Sequence, residues 1–432
     1  MVELVPVRAY HPAEPAASGL LSPVYDTLSD ADFRRFSTQP HNAGMFVARP
    51  ASMPLEEFLR TAVDRLHRAL SARVYVQDAR PSLYVYGIRY TPPPDIEETL
   101  PPSSRRPAYL LLGLVGALDL RRTPEAVVAR HEKAFPDRVE ERIRLTQATG
   151  MTFAPIMAGY TLPSHGINDL LERTLGLHRR SLSLEGTATP LVRATLDGTE
   201  HRLWRLEDEG VREKIEQLLE PLRILILDGH HRYSAARELL RRGQPESTPL
   251  VMLVESRDRA LQVLPWHRTL AGTDPPISEL AARTGSRFTK VERLPAGRVV
   301  EELIAELGRM SRRHDRGFIA VGPSESWRFT GPPNSDGGYD FDLLHDYLAE
   351  VFHREPHEFG FFRSPRQAVE AISREGTPWS GGIAFLLPAL DEEAIEERAF
   401  ASGRVMAHKS TMFIPKVAEG VLFAPQSPVP SP

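Results

Sequence analysis

Ile224-Leu225-Ile226-Leu227-Asp228-Gly229-His230-His231-Arg232-Tyr233-Ser234-Ala235-Ala236 is the stretch whose reading decides the fold. Four consecutive apolar residues make a short buried strand, Asp228-Gly229 a tight turn, and His230 onward, through Arg241, a helix. Leu250-Val251-Met252-Leu253-Val254 is again a buried strand, so the segment reads strand–helix–strand and the chain as mixed α/β. A helix opening just after a glycine presents unpaired backbone N–H groups with the positive end of its dipole behind them, an arrangement that suits phosphate. Gly229 lets a ligand approach the backbone closely. Arg232, with one or both of His230 and His231, would add charge-assisted donors. Asp228, at the carboxyl end of the strand, could ligate Mg²⁺ or orient a histidine. The plainer reading makes Asp228 a helix cap and the histidines and Arg232 surface residues.

Upstream, Leu55, Phe58, Leu59, Ala62, Val63, Leu66 and Leu70 recur at helical spacing after Pro54. Strands are expected at Ser82–Ile88, at Tyr109–Leu120 and in a segment ending near Leu203–Leu206. Thr123-Pro124-Glu125 reads as the start of a helix leading into Arg130-His131-Glu132-Lys133, and Asp137–Ile143 as a charged helical stretch. The pattern restarts after about residue 272, with helices over Val299–Met310, Asp342–Val351 and Gln367–Ser373 and strands at Phe318–Val321 and Gly382–Leu387. The expected organisation is an N-terminal α/β domain at 1–125, a phosphate-binding core at 126–272, a C-terminal α/β domain at 273–425 and a disordered tail at 426–432.

With 432 residues the chain exceeds one compact core. A formal net charge of −4 gives no surplus of cations for phosphate backbones, so nucleic acid is not an expected partner. The absence of cysteine excludes disulfides, thiolate metal sites and cysteine nucleophiles. Met1–Pro6 lacks a basic start followed by an apolar core, and the apolar run at Tyr109–Leu120 falls short of the roughly twenty residues of a bilayer span. A cytoplasmic protein without a membrane partner is expected.

Other patterns are weaker. His131-Glu132 is no zincin motif, since Phe135 stands where a second histidine would be. Alone, Glu132 reads as a solvated charge and Lys409-Ser410-Thr411 as a polar loop. No P-loop and no dinucleotide-binding glycine signature is present. His353 and His357 are separated by Pro356, which argues against a shared helix face.

Ile226–Ala236 resembles the nucleotide-phosphate motif of the ParB/sulfiredoxin superfamily, in the Asp-Gly-His-His-Arg form of the archaeal free serine kinase. More broadly, the chain resembles members of the domain-of-unknown-function family 1015. The residues that carry this resemblance are Ser22–Asp26, Ser82–Tyr86, His131-Glu132, His201–Arg205, Leu264–Arg268 and Lys409–Lys416. It implies a ParB/sulfiredoxin-like core between flanking α/β domains. It further implies a Mg²⁺-dependent kinase that takes ATP or ADP as donor and a small hydroxyl metabolite, L-serine first, as acceptor. Glu132 would be the base, with His131 and His231 in the catalytic group. Asp228, Gly229, His230, His231 and Arg232 would bind the nucleotide phosphates, and Lys409, Ser410 and Thr411 the acceptor. Sulfiredoxin chemistry is excluded, because its catalytic cysteine position is His230. ParB-like DNA association does not fit the charge. A nucleotide-binding regulator without efficient transfer is the alternative.

Overall fold

The computed structural model describes residues 1–14, 16–100, 104–162, 166–178, 181–244, 248–272, 276–313, 315–332, 340–354, 358–390, 392–401, 403, 405–407 and 409–426. The tail expected to be disordered lies, from 427 on, outside them. The chain is mixed α/β and divides into two compact units. One comprises Met1–Thr91, Pro107–Gln262 and Ile414–Pro432; the other comprises Pro92–Arg106 and Val263–Phe413. Among the described residues no helix is long and apolar enough to cross a membrane.

The first unit carries strands β1 (Leu4–Val5), β2 (Tyr10–Pro12), β3 (Tyr75–Gln77), β4 (Leu83–Tyr90), β5 (Tyr109–Leu118) and β6 (Val128–Arg130). It continues with β7 (Met151–Phe153), β8 (Ile156–Tyr160), β9 (Val192–Leu196), β10 (Thr199–Leu206), β11 (Ile224–Asp228) and β12 (Leu250–Glu255). Nine of these form one sheet in the order β6-β11-β8-β12-β5-β4-β10-β9, with β1 on β5. Strands from both sides of residue 125 therefore share one sheet, and the expected boundary there separates no units. β5 is buried along its whole length, consistent with its near-continuous apolar sequence. A Cβ at Gly113 would lie 2.5 Å from the Met252 side chain of neighbouring β12.

Among the described strands, two pairings of this sheet are parallel. β6 runs parallel to β11, with Val128 opposite Ile224, and β8 runs parallel to β12. The helix expected from Thr123 is a single 3₁₀ turn, Glu125–Val127, followed at once by β6. Val128 and Ala129 are buried in the ladder beside Ile224 and Leu225, and that sheet pairing outweighs the local helix-start signal. The helix Pro136–Thr149 begins with Pro136 in its first turn and ends at Gly150 with φ 65°. Its Ile143 packs with Ala235 and Leu239 of the helix His230–Arg241. The main core gathers Ile224 and Ile226 of β11, Leu253 of β12, Leu112 and Leu114 of β5, and Leu171 and Ile215 from two further helices.

The second unit contains β13 (Gln262–Pro265), β14 (His267–Leu270), β15 (Lys290–Arg293), β16 (Gly317–Val321), β17 (Ser326–Thr330), β18 (Phe359–Phe362), β19 (Ile383–Leu386) and β20 (Thr411–Ile414). Six of them make a sheet in the order β15-β17-β16-β19-β14-β18, and β13 pairs with β20. Helices Val300–Arg313 and Pro365–Ser373 contribute Leu303, Leu307, Ala368 and Ile372 to its core. Elsewhere in the unit Phe318 stacks on Phe329 at 4.8 Å, and Phe288 meets both edge-on. The chain then returns to the first unit, where β21 (Phe423–Pro425) joins β2, β3 and β7 in a four-stranded sheet.

Ile226 is fully buried in the middle of β11. Ile226→Ala should cost about 2–5 kcal/mol, as large-to-small core changes do. Chemical denaturation read by circular dichroism checks this, and a loss under about 1 kcal/mol would mean that β11 does not sit at the centre of the core.

Candidate functional site

Because β6 and β11 are parallel neighbours, their carboxyl ends lie side by side. The residues that follow β6 are His131 and Glu132; those that close and follow β11 are Asp228, Gly229 and His230. In open α/β sheets this edge, where strands hand over to loops and helix N-termini, is where ligands bind. Gly229 takes φ 91°, a left-handed conformation that places the helix start directly after the strand. A Cβ there would also fall 2.9 Å from the Arg232 guanidinium.

Asp228 is held by two cations. Lys416 Nζ donates to Oδ1, and Arg232 Nη2 donates to Oδ2 at 3.0 Å. Burial alone would raise the carboxyl pKa, but Lys416 and Arg232 outweigh it and hold the group below the usual carboxylate range. Arg232 Nη1 donates to the carbonyls of Ala154 at 2.7 Å and Pro155 at 3.0 Å, immediately before β8. Arg232, expected to contact phosphate, makes contacts here that tie the helix His230–Arg241 to that loop. Both oxygens of Asp228, the residue expected to hold Mg²⁺, are engaged by cations.

His131 is fully buried; burial pushes its imidazole down to about 4, although a hydrogen bond with the Ile226 backbone favours the charged form. His230 is 8% exposed and shifted well below its ordinary value, first by burial and then by its neighbours His131, His231, Arg130 and Lys416. His231, also lowered to about 4 mainly by burial, stacks on Phe135 at 5.9 Å and feels Asp26. These imidazoles are neutral at pH 7, so they can give N–H hydrogen bonds but not the positive charge expected of them. The rings of His131 and His230 meet edge to face, with centroids 4.6 Å apart. Glu132, half-buried, completes a trio with them: one ligand atom from each of His131, Glu132 and His230 lies within 4.8 Å of the other two.

The structure thus brings His131, Glu132 and Asp228–Arg232 together within the first unit. Lys409, Ser410 and Thr411 belong to the second unit. There the exposed Lys409 has its ammonium 5.5 Å from the centre of the Trp266 ring, and its carbonyl accepts from Arg268 Nη2 at 3.2 Å. The buried Ser410 hydroxyl donates to the Ala407 carbonyl at 2.8 Å, and the Thr411 carbonyl accepts from Trp266 Nε1 at 3.0 Å. Sequence reasoning gave no role to Lys416, nor to Glu419, whose carboxylate accepts from the Tyr25 backbone N–H at 3.4 Å. The signal for Lys416 was present only as the end of the Lys409–Lys416 landmark.

An α/β protein with a strand-end cluster of imidazoles and carboxylates beside a helix N-terminus is the class that fold and site define. The chain belongs to the family described as "Protein of unknown function (DUF1015)", whose match spans residues 4–378. No curated protein matches it. Among solved structures, a free serine kinase in complex with AMP is similar at 14% identity and a TM-score of 0.37, covering 68% of this chain and 87% of that one. A conserved hypothetical protein from Pyrococcus furiosus is similar at 13% identity and a TM-score of 0.36, over 68% and 90% of the two chains. SbnI from Staphylococcus aureus, with a C-terminal truncation, is similar at 13% and 0.34, over 69% and 82%.

Two outcomes follow from this geometry. Gly229→Ala should cost about 1–3 kcal/mol, because a side chain must adopt positive φ and displace Arg232; an unchanged melting temperature would contradict the strained turn. The buried neutral His131 disfavours the proton in the folded state, so its contribution is complete above pH 6.5 and is lost as pH falls from 6.5 towards 4. It amounts to about 3 kcal/mol for this one group. Denaturation midpoints between pH 7 and 4 should fall accordingly, and less steeply in His131→Asn; a midpoint that rises on acidification would refute the burial account.

Proposed function

We propose that the protein is a nucleotide-dependent phosphotransferase that moves a phosphoryl group from ATP or ADP to a small hydroxyl metabolite, with free L-serine the first acceptor to test. The observation that supports this best is the placement of the half-buried Glu132 carboxylate, by the parallel pairing of β6 and β11, beside the N-terminus of the helix His230–Arg241. The motif resemblance around Asp228–Arg232 and His131-Glu132 points the same way.

In this reading the first-turn amides after Gly229, which have no intrahelical acceptor, receive the nucleotide phosphates at the positive end of the helix dipole. Neutral His230 and His231 offer N–H donors without adding charge. Glu132 accepts the proton of the acceptor hydroxyl as its oxygen attacks phosphorus, and the donor's bridging oxygen leaves with the remaining nucleotide. Phosphoryl transfer needs little covalent chemistry from a protein, so positioning and fixed dipoles supply most of the acceleration. Asp228 acts here as a structural anion that fixes Lys416 and Arg232. No step is assigned to a protein-bound Mg²⁺.

The engaged state of Asp228 favours a second reading, a nucleotide-binding regulator that keeps the helix N-terminus without efficient transfer. One experiment separates them. Purified protein is assayed with ATP and ADP in parallel against L-serine and a panel of small hydroxyl compounds, with Glu132→Gln alongside. The kinase reading expects phosphoserine or another phosphorylated product, and a loss of about 10²–10⁴-fold in the variant with nucleotide binding retained. Nucleotide binding without product from any acceptor would establish the regulator instead.

A further inference from the structure

His230 presents an unsolved problem of hydrogen bonding. The residue is 8% exposed, yet neither Nδ1 nor Nε2 has a hydrogen-bond partner. A buried polar atom left without a partner is destabilising, and here one ring carries two. The ring points into the only cluster of three metal-ligating side chains among the described residues, with His131 and Glu132. An unpartnered buried imidazole facing another imidazole and a carboxylate has a simple chemical remedy, which is a cation bound between them.

We infer that His131, Glu132 and His230 form a binding site for a divalent transition-metal ion. The donor set decides the kind of ion. Two imidazole nitrogens and one carboxylate oxygen suit Zn²⁺, Co²⁺, Fe²⁺ or Ni²⁺, whereas Mg²⁺ demands a shell of oxygens. Nitrogen and oxygen ligands about 2.0–2.2 Å from a tetrahedral ion stand roughly 3.4 Å from one another, so ligand atoms now within 4.8 Å close on the ion by side-chain movements of about 1 Å or less. Three protein ligands leave a fourth position open to water or to an oxygen of a ligand, as in catalytic rather than structural sites. The fold supports the site: β6 and β11 fix the two histidines from adjacent parallel strands, and His131 is further held at the Ile226 backbone. Lys416 and Arg130 act electrostatically on His230, so the site binds more weakly than one free of nearby cations.

The ion takes one Glu132 oxygen and leaves the other for the proton of an acceptor hydroxyl. Binding is measured on the full chain without nucleotide, so its result is independent of whether the protein is a kinase. Metal-stripped protein is titrated with Zn²⁺ by calorimetry and with Co²⁺ by visible absorption. The expected result is one site per chain, with Co²⁺ bands of low-coordinate nitrogen–oxygen ligation that millimolar Mg²⁺ does not displace. His230→Ala should weaken binding at least tenfold. Glu132→Gln, close to isosteric and at a half-buried position, should do so too, and it decides the matter if His230→Ala fails to fold. His67→Ala, at an exposed position on the helix Leu55–Ser71, should leave binding unchanged. Absence of a stoichiometric site, or a site equally strong in Glu132→Gln and in any folded His230→Ala, would overturn the assignment.

Discussion

A half-buried carboxylate with two cations organises the first unit. Asp228 closes β11, and removing its charge from water is tolerable only because Lys416 and Arg232 reach it from different parts of the chain. Arg232 belongs to the first turn of the following helix and also donates to the Ala154 and Pro155 carbonyls, so one guanidinium fixes strand, helix and the approach to β8 together. Lys416 brings in the returning C-terminal segment, 188 residues further along the chain. Removing either cation would leave Asp228 with one partner for two oxygens, a larger disturbance than loss of an exposed ion pair.

The same knot constrains the chemistry. Because Asp228 is saturated by cations, its charge is directed inward at the scaffold and not at a ligand. The nearby histidines are buried among those cations and stay neutral. The site is therefore less positive than its sequence suggests. What it offers an incoming group is the helix N-terminus, imidazole nitrogens and the single half-buried carboxylate of Glu132.

Local signals recovered much of the fold. Ile224–Leu227 and the helix from His230 were legible because an apolar run, an Asp-Gly break and a helical period follow one another without conflict. The helices observed at Val300–Arg313 and Pro365–Ser373 were equally clear from their apolar spacing. The segment after Thr123 misled, because Pro124 after Thr resembles a helix start. Its fate is settled instead by pairing with β11, a partner far away in sequence that no local period reveals. Long-range pairing also crosses the boundary expected near 125, since β4 and β5 hydrogen-bond into a sheet that includes strands from later in the chain. Arg232 was identified as important, but only the three-dimensional position of two backbone carbonyls shows which way its donors point.

The family match ends at residue 378, whereas Lys416 and Glu419 lie beyond it. His131, Glu132 and the Asp228–Arg232 turn come from within the matched region, and parallel pairing of β6 with β11 alone is enough to set them side by side. The returning segment contributes something different: it neutralises Asp228 through Lys416, and Glu419 accepts from the Tyr25 backbone. Assembly of the cluster and its electrostatic setting are thus separate tasks performed by separate parts of the sequence. A charge-balancing residue contributed from so far along the chain makes the setting available only when the first unit is complete, because until then Asp228 has Arg232 but not its second cation.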